Sequence, residues 1–256
     1  MMSANFQSIQ SIHPVQAVQA HRGASAYRPE NTLEAFSLAI EQGADGIEID
    51  VHVTKDGHIV VAHDERLERV SNGTGFITDY TLAELKSLNF NKPFPDQPAC
   101  AIPTLEEVYA LIKETALILN VELKANKFLY PELSEKLIRT EREYDMSGRI
   151  IYSSFNHYSL KPLKQIDPAV KIGLLYSTGL VDPWVYANYL SADAIHPHYA
   201  AITALPETVS RCRENGVMVN VWTVDDPQMI THMFKCGVDA VITNKPDVAL
   251  ECRKNL

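Results

Sequence analysis

The chain has 256 residues, of which 46% are hydrophobic, with a net charge of −9 at pH 7 and a pI near 5.5. This length and apolar content allow a large buried core, and a (β/α)8 barrel commonly occupies a chain of this size. The acidic balance argues against nucleic acid or an anionic membrane surface as the main partner, but a small anionic substrate senses only local charge and stays compatible.

Targeting signals and cysteine pairs are not evident in the sequence. Residues 1–14 lack a basic start and a continuous apolar core, which predicts no signal peptide. No apolar run approaches membrane-spanning length. The cysteines show neither paired spacing nor a zinc pattern, so we interpret them as reduced thiols of a cytoplasmic protein without a membrane span. They are Cys100, Cys212, Cys236 and Cys252.

Eight apolar, strand-like runs alternate along the chain, mostly with helical patterns. The runs lie near Val18, Ile47, Leu117, Ile150, Ile172, Ala194, Val219 and Val241. Helix starts lie between them: Asn31 with Glu34 and Thr104 with Glu107 match the capping-box pattern. This alternation predicts one (β/α)8 TIM barrel domain over residues 1–256.

Two carboxylates lie in the second run, where a buried strand should be apolar. Glu48 and Asp50 are two residues apart and therefore share one face of a strand. An unpaired buried carboxylate costs several kcal/mol or shifts its pKa until it is neutral. The pair therefore predicts a metal, basic partners or water on that face. The alternative for this motif alone is an ordinary hairpin with its polar face in water.

Three further apolar runs also end in ionisable groups. The first contains His21 and Arg22, another contains His63, and a third ends in Glu122 and Lys124, which share a face. Functional groups collect at the carboxyl ends of strands in parallel α/β folds. We therefore expect these groups to meet the two carboxylates at one mouth of the barrel.

The run at residues 59–63 is an extra strand beside the eight. Four residues separate it from the second strand, which is too short for a parallel crossover, so an antiparallel hairpin is predicted. Pairing Val53 with His58 would place Asp50 opposite Val61 and Glu48 opposite His63, unless a bulge shifts the register by one residue.

Residues 65–101 contain no matching barrel strand and are interpreted as an insertion. They include the turn signal Asn72-Gly73, a short helical pattern at residues 82–88, and Phe94-Pro95. Insertions of this size are uncommon without a task such as a lid. We predict that the segment covers the C-terminal mouth of the barrel, with a surface decoration as the alternative.

An ordered set of short motifs runs through residues 21–247. Its members are His21-Arg22-Gly23, Pro29-Glu30-Asn31-Thr32, Glu48-Ile49-Asp50-Val51, Thr54-Lys55-Asp56-Gly57, His63-Asp64, Glu122-Leu123-Lys124, Trp222-Thr223-Val224 and Thr243-Asn244-Lys245-Pro246-Asp247. In this order and spacing they resemble the glycerophosphodiester phosphodiesterase family of the bacterial cytoplasmic type. The resemblance implies a (β/α)8 barrel that hydrolyses glycerophosphodiesters to sn-glycerol 3-phosphate and an alcohol.

The candidate residues suit that chemistry, which must neutralise an anion, activate a nucleophile and protonate a poor leaving group. Glu48, Asp50 and Glu122 offer only oxygen, which favours one Mg²⁺ or Ca²⁺ ion over zinc. Arg22 can form a fork with phosphate oxygens, and Lys124 can add a point charge.

Two histidines, His21 and His63, are the candidates for proton transfer, because imidazole gives and takes a proton near neutral pH. The resemblance implies that one is the general acid and the other the general base, and the sequence leaves the assignment open. It also implies that Trp222 contacts the glycerol moiety, with a core residue at the barrel rim as the alternative.

Several residues near these motifs are interpreted as structural. Phe155 is expected in the core, with a place at the barrel mouth as the alternative. Glu30 and Asn31 belong either to the site or to the helix start, and a capping role is enough to explain Asn31. His52 is interpreted as a surface or turn residue. His196 and His198 have the spacing of a metal-binding pair but no nearby carboxylates, so we interpret them either as structural residues or as residues that support the site from behind.

The sequence leaves open the alcohol, which could be choline, ethanolamine or glycerol, and the choice between direct water attack and a cyclic phosphate intermediate. It also leaves the oligomeric state open. Two alternative functions are a lysophospholipase D-like phosphodiesterase acting on lipids and a non-catalytic metal- and phosphate-binding barrel. An apolar face on residues 65–101 would favour the first, whereas intact His21 and His63 argue against the second.

Overall fold

The computed structural model describes residues 16–125, 130 and 132–256. Within these residues, eight parallel strands form a closed ring and a ninth strand lies outside it. The strands are β1 (Ala17–His21), β2 (Gly46–Val53), β3 (Ile59–Val61), β4 (Ile118–Leu123), β5 (Ile150–Ser154), β6 (Lys171–Tyr176), β7 (Ala194–Pro197), β8 (Met218–Val221) and β9 (Ala240–Thr243). The ring runs β1-β2-β4-β5-β6-β7-β8-β9 and closes where β9 pairs with β1. The predicted TIM barrel with an extra strand is confirmed.

Helices connect the barrel strands and surround the ring. They are α1 (Leu33–Gln42), α2 (Leu82–Lys86), α3 (Leu105–Ile112), α4 (Leu133–Glu143), α5 (Lys161–Ile166), α6 (Pro183–Tyr189), α7 (Tyr199–Ala204), α8 (Glu207–Glu214), α9 (Pro227–Cys236) and α10 (Pro246–Lys254). The predicted capping box of α3 is confirmed, because Thr104 accepts from the Glu107 backbone and Glu107 accepts from the Thr104 backbone.

The main core lies between the outer face of the barrel and the helices. It includes Ile47, Ile49 and Val51 of β2 together with buried aromatic side chains such as Phe36 and Phe234 from the helices. Because neighbouring strand residues point to opposite faces, the alternate positions of β2 point into the barrel. The strand thus directs its two carboxylates inward.

The hairpin of β2 and β3 is confirmed, but its register differs by one residue from the prediction. Val51 lies opposite Val61, and the Thr54 backbone N–H donates to the His58 carbonyl at 2.9 Å. The loop therefore has three residues and ends in Gly57, whose φ of 86° is the left-handed conformation that three-residue hairpin loops use.

The predicted pairing of Glu48 with His63 is consequently wrong. His63 lies beyond the end of β3, and its carbonyl accepts a hydrogen bond from His52 Nε2 at 3.2 Å. Its side chain nevertheless lines the same pocket as Glu48. The histidine reaches the carboxylates through the turn that follows β3.

Residues 65–101 pack on the outside of this hairpin through an apolar cluster separate from the main core. The buried members of the cluster are Val60, Ala62, Leu67, Val70, Ile77, Leu85, Phe90, Cys100 and Ile102. The segment is therefore anchored on β3 by buried side chains. Its role as a cover of the mouth stays a prediction.

Within the described part of the chain, no helix combines the length and apolar character needed to cross a bilayer. The prediction that residues 1–14 contain no signal peptide lies outside the described residues. All four cysteines are free of disulfide bonds.

Candidate active site

Three buried carboxylates meet at the carboxyl ends of β2 and β4. These strands are parallel neighbours, and Asp50 lies opposite Glu122. One oxygen each from Glu48, Asp50 and Glu122 lies within 4.8 Å of the others. Their exposed fractions are 4%, 1% and 7%. The structure thus brings together the three carboxylates that the sequence predicts to meet.

Two cations lie against this carboxylate cluster. Lys124 Nζ is 3.0 Å from Asp50 Oδ1 and 2.6 Å from Glu122 Oε1. Arg22 Nε is 3.4 Å from Asp50 Oδ2, and the Arg22 backbone N–H donates to Glu48 Oε2 at 3.1 Å. With all five groups ionised, three negative and two positive charges leave one excess negative charge in a buried site.

The pKa values of the carboxylates reflect this imbalance. Burial, followed by repulsion from Asp50 and Glu122, raises the pKa of Glu48 well above its ordinary range. Burial also raises the pKa of Glu122, to about 7. At Asp50, burial opposes ionisation, but Lys124 and Arg22 outweigh it and hold the pKa well below its ordinary range. The site can therefore accommodate a further cation, and its all-oxygen donors fit Mg²⁺ or Ca²⁺.

His21, at the end of β1, is oriented by residues that follow β8 and β9. Asn244 Oδ1 lies 2.7 Å from His21 Nδ1 and also accepts from Ser25 Oγ at 2.8 Å. Asn244 Nδ2 donates to Asp225 Oδ2 at 2.6 Å. Because a carboxylate only accepts, the amide nitrogen faces Asp225 and the amide oxygen faces His21. His21 Nδ1 therefore carries the proton.

The second nitrogen of this ring, Nε2, lies near the carboxylate cluster. His21 Nε2 lies 3.9 Å from Glu48 Oε2. Burial, followed by the positive charge of Arg22, lowers the pKa of His21 to about 4. The ring is therefore neutral near pH 7, and its Nε2 is an acceptor.

His63 has a charged partner instead of an amide. Its Nδ1 lies 2.6 Å from Asp64 Oδ1, and Arg69 Nε donates to Asp64 Oδ2 at 2.6 Å. At Asp64, burial opposes ionisation, but hydrogen bonds from Arg69 and His63 outweigh it and lower the pKa to about 2. Burial lowers the pKa of His63 below its ordinary value, and the charge of Asp50 and the hydrogen bond to Asp64 offset only part of that shift. The two histidines thus differ in the charge of the group that holds Nδ1.

His52 belongs to this site, and its interpretation as a surface or turn residue is wrong. The residue is 2% exposed and lies on the face of β2 that carries Glu48 and Asp50. Its Nε2 donates to the His63 carbonyl, and its Nδ1 lies 3.1 Å from the Tyr130 hydroxyl. The two-residue period of the strand is the signal that could have found it.

Asn31 is likewise not the helix cap that its sequence context predicts. Thr32 is the N-cap of α1 and accepts from the Ala35 backbone N–H. Asn31 is buried with φ 56°, and its Nδ2 donates to Asp50 Oδ2 at 2.8 Å. Asparagine tolerates this left-handed conformation, which turns its amide toward the carboxylate cluster. The alternative in which Glu30 belongs to the site is supported, because Glu30 Oε1 accepts from Arg22 at 2.8 Å.

Trp222 and Phe155 form an aromatic wall of the pocket. Their ring centroids are 5.3 Å apart at an interplanar angle of 88°, and Trp222 Nε1 donates to the His196 carbonyl at 2.7 Å. Phe155 is 37% exposed, so its expected place in the core is wrong. His196 is buried and contacts Asn220 at 3.0 Å, in keeping with a structural role.

These residues line one pocket in the mouth of the barrel. Seven of the predicted site residues contribute to its wall: His21, Arg22, Glu48, His63, Glu122, Lys124 and Trp222. Asp50 is nearly inaccessible and contacts Lys124 from within the cluster. An outer cleft of about 720 Å³ adjoins the pocket and shares His63, Lys124 and Phe155 with it.

The strand ends of this parallel barrel carry three buried carboxylates, two cationic side chains and two histidines with different hydrogen-bond partners. Such a site is typical of a TIM-barrel enzyme that binds a metal ion and an anionic substrate. Residues 21–248 match the family model described as the glycerophosphoryl diester phosphodiesterase family. The chain belongs to this family, as its motifs predict.

Relatives and solved structures agree with that membership. The glycerophosphodiester phosphodiesterase of Caldanaerobacter subterraneus subsp. tengcongensis is 48% identical over 234 residues, covering 91% of this chain and 96% of the relative. That of Bacillus altitudinis is 35% identical, covering 93% and 98%. An Oleispira antarctica phosphodiesterase, solved in complex with the product sn-glycerol-3-phosphate, is 30% identical with a TM-score of 0.82, covering 94% and 97%.

Proposed function

We propose that this protein hydrolyses glycerophosphodiesters to sn-glycerol 3-phosphate and an alcohol by acid–base catalysis at a carboxylate-bound divalent cation. The observation that carries the proposal is the pocket that His21 and His63 share with the carboxylate cluster. The names of the curated relatives, and the product bound to the Oleispira antarctica neighbour, support the substrate class.

Glu48, Asp50 and Glu122 would hold the cation, for which Mg²⁺ and Ca²⁺ both suit the oxygen donors. When bound, a divalent ion supplies Lewis acidity toward a phosphate oxygen. It would also change the balance of the five ionised groups from one excess negative to one excess positive charge. That charge complements the single negative charge of a phosphodiester.

Arg22 and Lys124 would bind the phosphate oxygens beside that site. Glu30 and Asp50 hold the Arg22 side chain on two sides, at 2.8 Å and 3.4 Å, which fixes the direction of the guanidinium. Glu122 and Asp50 do the same for Lys124. Pre-oriented cations bind an anion with little loss of side-chain entropy.

The partners of the two histidines favour one assignment of their roles. His21 is neutral with a free acceptor at Nε2, so we assign it as the general base that takes the proton of the nucleophile. The nucleophile is a water molecule or the glycerol hydroxyl, and the base is the same in both cases. Asp64 stabilises a positive charge on His63, so we assign His63 as the acid that protonates the alcohol as its P–O bond breaks.

Trp222 and Phe155 would give the glycerol moiety its apolar contact. Trp222 is fixed by its hydrogen bond to the His196 carbonyl, and Phe155 packs edge-on against it. Aromatic faces of this kind bury the C–H groups of a polyol while its hydroxyls stay in reach of polar groups.

A lipid diester is the second candidate, because apolar side chains are exposed on loops that follow the carboxyl ends of β5 and β6. Tyr158 is 81% exposed and Val181 is 93% exposed. These side chains lie on the same end of the barrel as the pocket. They could contact an acyl chain or a lipid surface.

The two candidates differ in the substrate that they prefer. We expect kcat/KM for glycerophosphocholine to exceed that for monomeric lysophosphatidylcholine by about 10-fold or more, because the residues that line the pocket suit small polar groups. Both constants are measured with the Tyr158→Ser, Val181→Ser double variant as a control. A preference for the lipid that this variant abolishes would support the lipid reading, and turnover of neither ester would support a non-catalytic barrel.

A further inference from the structure

We propose that Arg69 is a positioning residue that connects the phosphate-binding Arg22 to the proton donor His63 through Glu30 and Asp64. This inference rests on the proposed function. It adds a residue from the insertion at residues 65–101 to the machinery of the site.

The side-chain contacts form a continuous series. Arg69 Nη1 and Nη2 donate to the two oxygens of Glu30, each at 2.7 Å, and Arg69 Nε donates to Asp64 Oδ2 at 2.6 Å. Glu30 Oε1 also accepts from Arg22 Nη1 at 2.8 Å. The second oxygen of Asp64 lies 2.6 Å from His63 Nδ1. One guanidinium thus bridges the carboxylate that orients the arginine and the carboxylate that orients the histidine.

Positive and negative side chains alternate along this series of contacts, and the alternation affects how strongly Arg22 attracts an anion. Arg22 needs an acidic partner to fix its direction, but an unbalanced acid beside it would weaken its attraction for phosphate. Arg69 supplies the balancing positive charge, and the hydrogen bonds to Arg69 and the charge of Arg22 together outweigh burial and lower the pKa of Glu30. Glu30 can therefore orient Arg22 without cancelling its charge.

The neighbours of Arg69 hold it in place. Leu67 and Val70 are buried in the apolar cluster that anchors residues 65–101 on β3. The Arg69 side chain itself is 45% exposed. Half-exposed ion pairs contribute little to stability, so the fork is expected to matter for the geometry of the site more than for folding.

Replacing Arg69 tests this role. Arg69→Gln should lower kcat for glycerophosphocholine by about 10- to 100-fold, the scale of a small misplacement of catalytic groups. It should lower kcat much less for the p-nitrophenyl diester of glycerol 3-phosphate, whose leaving group needs no proton. Arg69→Lys should recover only part of the loss, because one ammonium group cannot form the three-nitrogen fork.

The matched control is Arg142→Gln. Arg142 on α4 forms a similar exposed ion pair, with Nη2 2.6 Å from Asp167 Oδ2, on the outside of the barrel. Its loss should leave kcat for both esters unchanged. Thermal unfolding is recorded for every variant, and if Arg69→Gln does not fold, the comparison of the two esters is made with Arg69→Lys.

A second readout does not depend on turnover. Nitrogen-15 NMR of the imidazoles, with the His63 signals assigned from His63→Gln, should show the His63 Nδ1 signal moving toward that of free imidazole in Arg69→Gln but not in Arg142→Gln. Equal losses on the two esters, or an unchanged His63 signal, would overturn the connection between Arg69 and His63, and with it the proposal. A wild-type protein that cleaves neither ester would instead contradict the proposed function, and the NMR result would then decide the role of Arg69 in orienting His63.

Discussion

Glu48→Gln, Asp50→Asn and Glu122→Gln should each lower kcat/KM for glycerophosphocholine by about 10³-fold or more, equivalent to about 4 kcal/mol of barrier. Each change removes a charged oxygen from a buried cluster whose remaining groups cannot replace it. The same changes should weaken binding of Mg²⁺ or Ca²⁺ to the metal-free protein, measured by calorimetry. EDTA should abolish the activity of the unchanged protein, and added Mg²⁺ or Ca²⁺ should restore it.

The control for these substitutions is Glu141→Gln. Glu141 is also a buried carboxylate, but it lies on α4 and accepts a hydrogen bond from the Tyr152 hydroxyl at 2.9 Å. Its amide form keeps an acceptor oxygen, so activity and metal binding should stay unchanged. Full activity of the metal-free protein would show that the three carboxylates are not metal ligands needed for the reaction.

His21→Ala and His63→Ala should each lower kcat for glycerophosphocholine by about 10²-fold or more, the usual scale of general acid–base catalysis. With the p-nitrophenyl diester, only His63→Ala should regain activity, because that leaving group departs without a proton. The double variant should lose less than the product of the single losses, since both groups act in one turnover.

His232→Ala is the control for the histidine series, because His232 is exposed on α9. Its kcat for both esters should match that of the unchanged protein. Recovery of His21→Ala instead of His63→Ala would reverse the assignment of acid and base. Recovery of neither variant would mean that the pair does not divide the proton transfers in this way.

Much of the fold could be predicted because it depends on local patterns. Alternating apolar runs and helix starts identify the barrel strands, and the spacing of Glu48 and Asp50 places both carboxylates on one face. His52 falls under the same two-residue rule, but its single imidazole carries no charge that would mark it as unusual. The predicted hairpin register was wrong because the same residues can form either a three-residue loop ending in Gly57 or a four-residue loop.

The contacts that orient the two histidines could not be predicted from local patterns. His21 and Asn244 are separated by 223 positions, and Glu30 and Arg69 by 39. Their contacts exist because β1 pairs with β9 and because residues 65–101 fold back on the hairpin. Asn31 was misassigned for a different reason, since Thr32 beside it also satisfies the cap preference.

The most direct test of the proposed reaction is phosphorus NMR of the products formed from glycerophosphocholine by protein loaded with Mg²⁺ or Ca²⁺. Cleavage of the bond between phosphorus and the choline oxygen should convert the diester signal into that of sn-glycerol 3-phosphate, in equal amount, and only when the metal is present. A phosphocholine signal, or a diester signal that persists with either metal, would contradict the account.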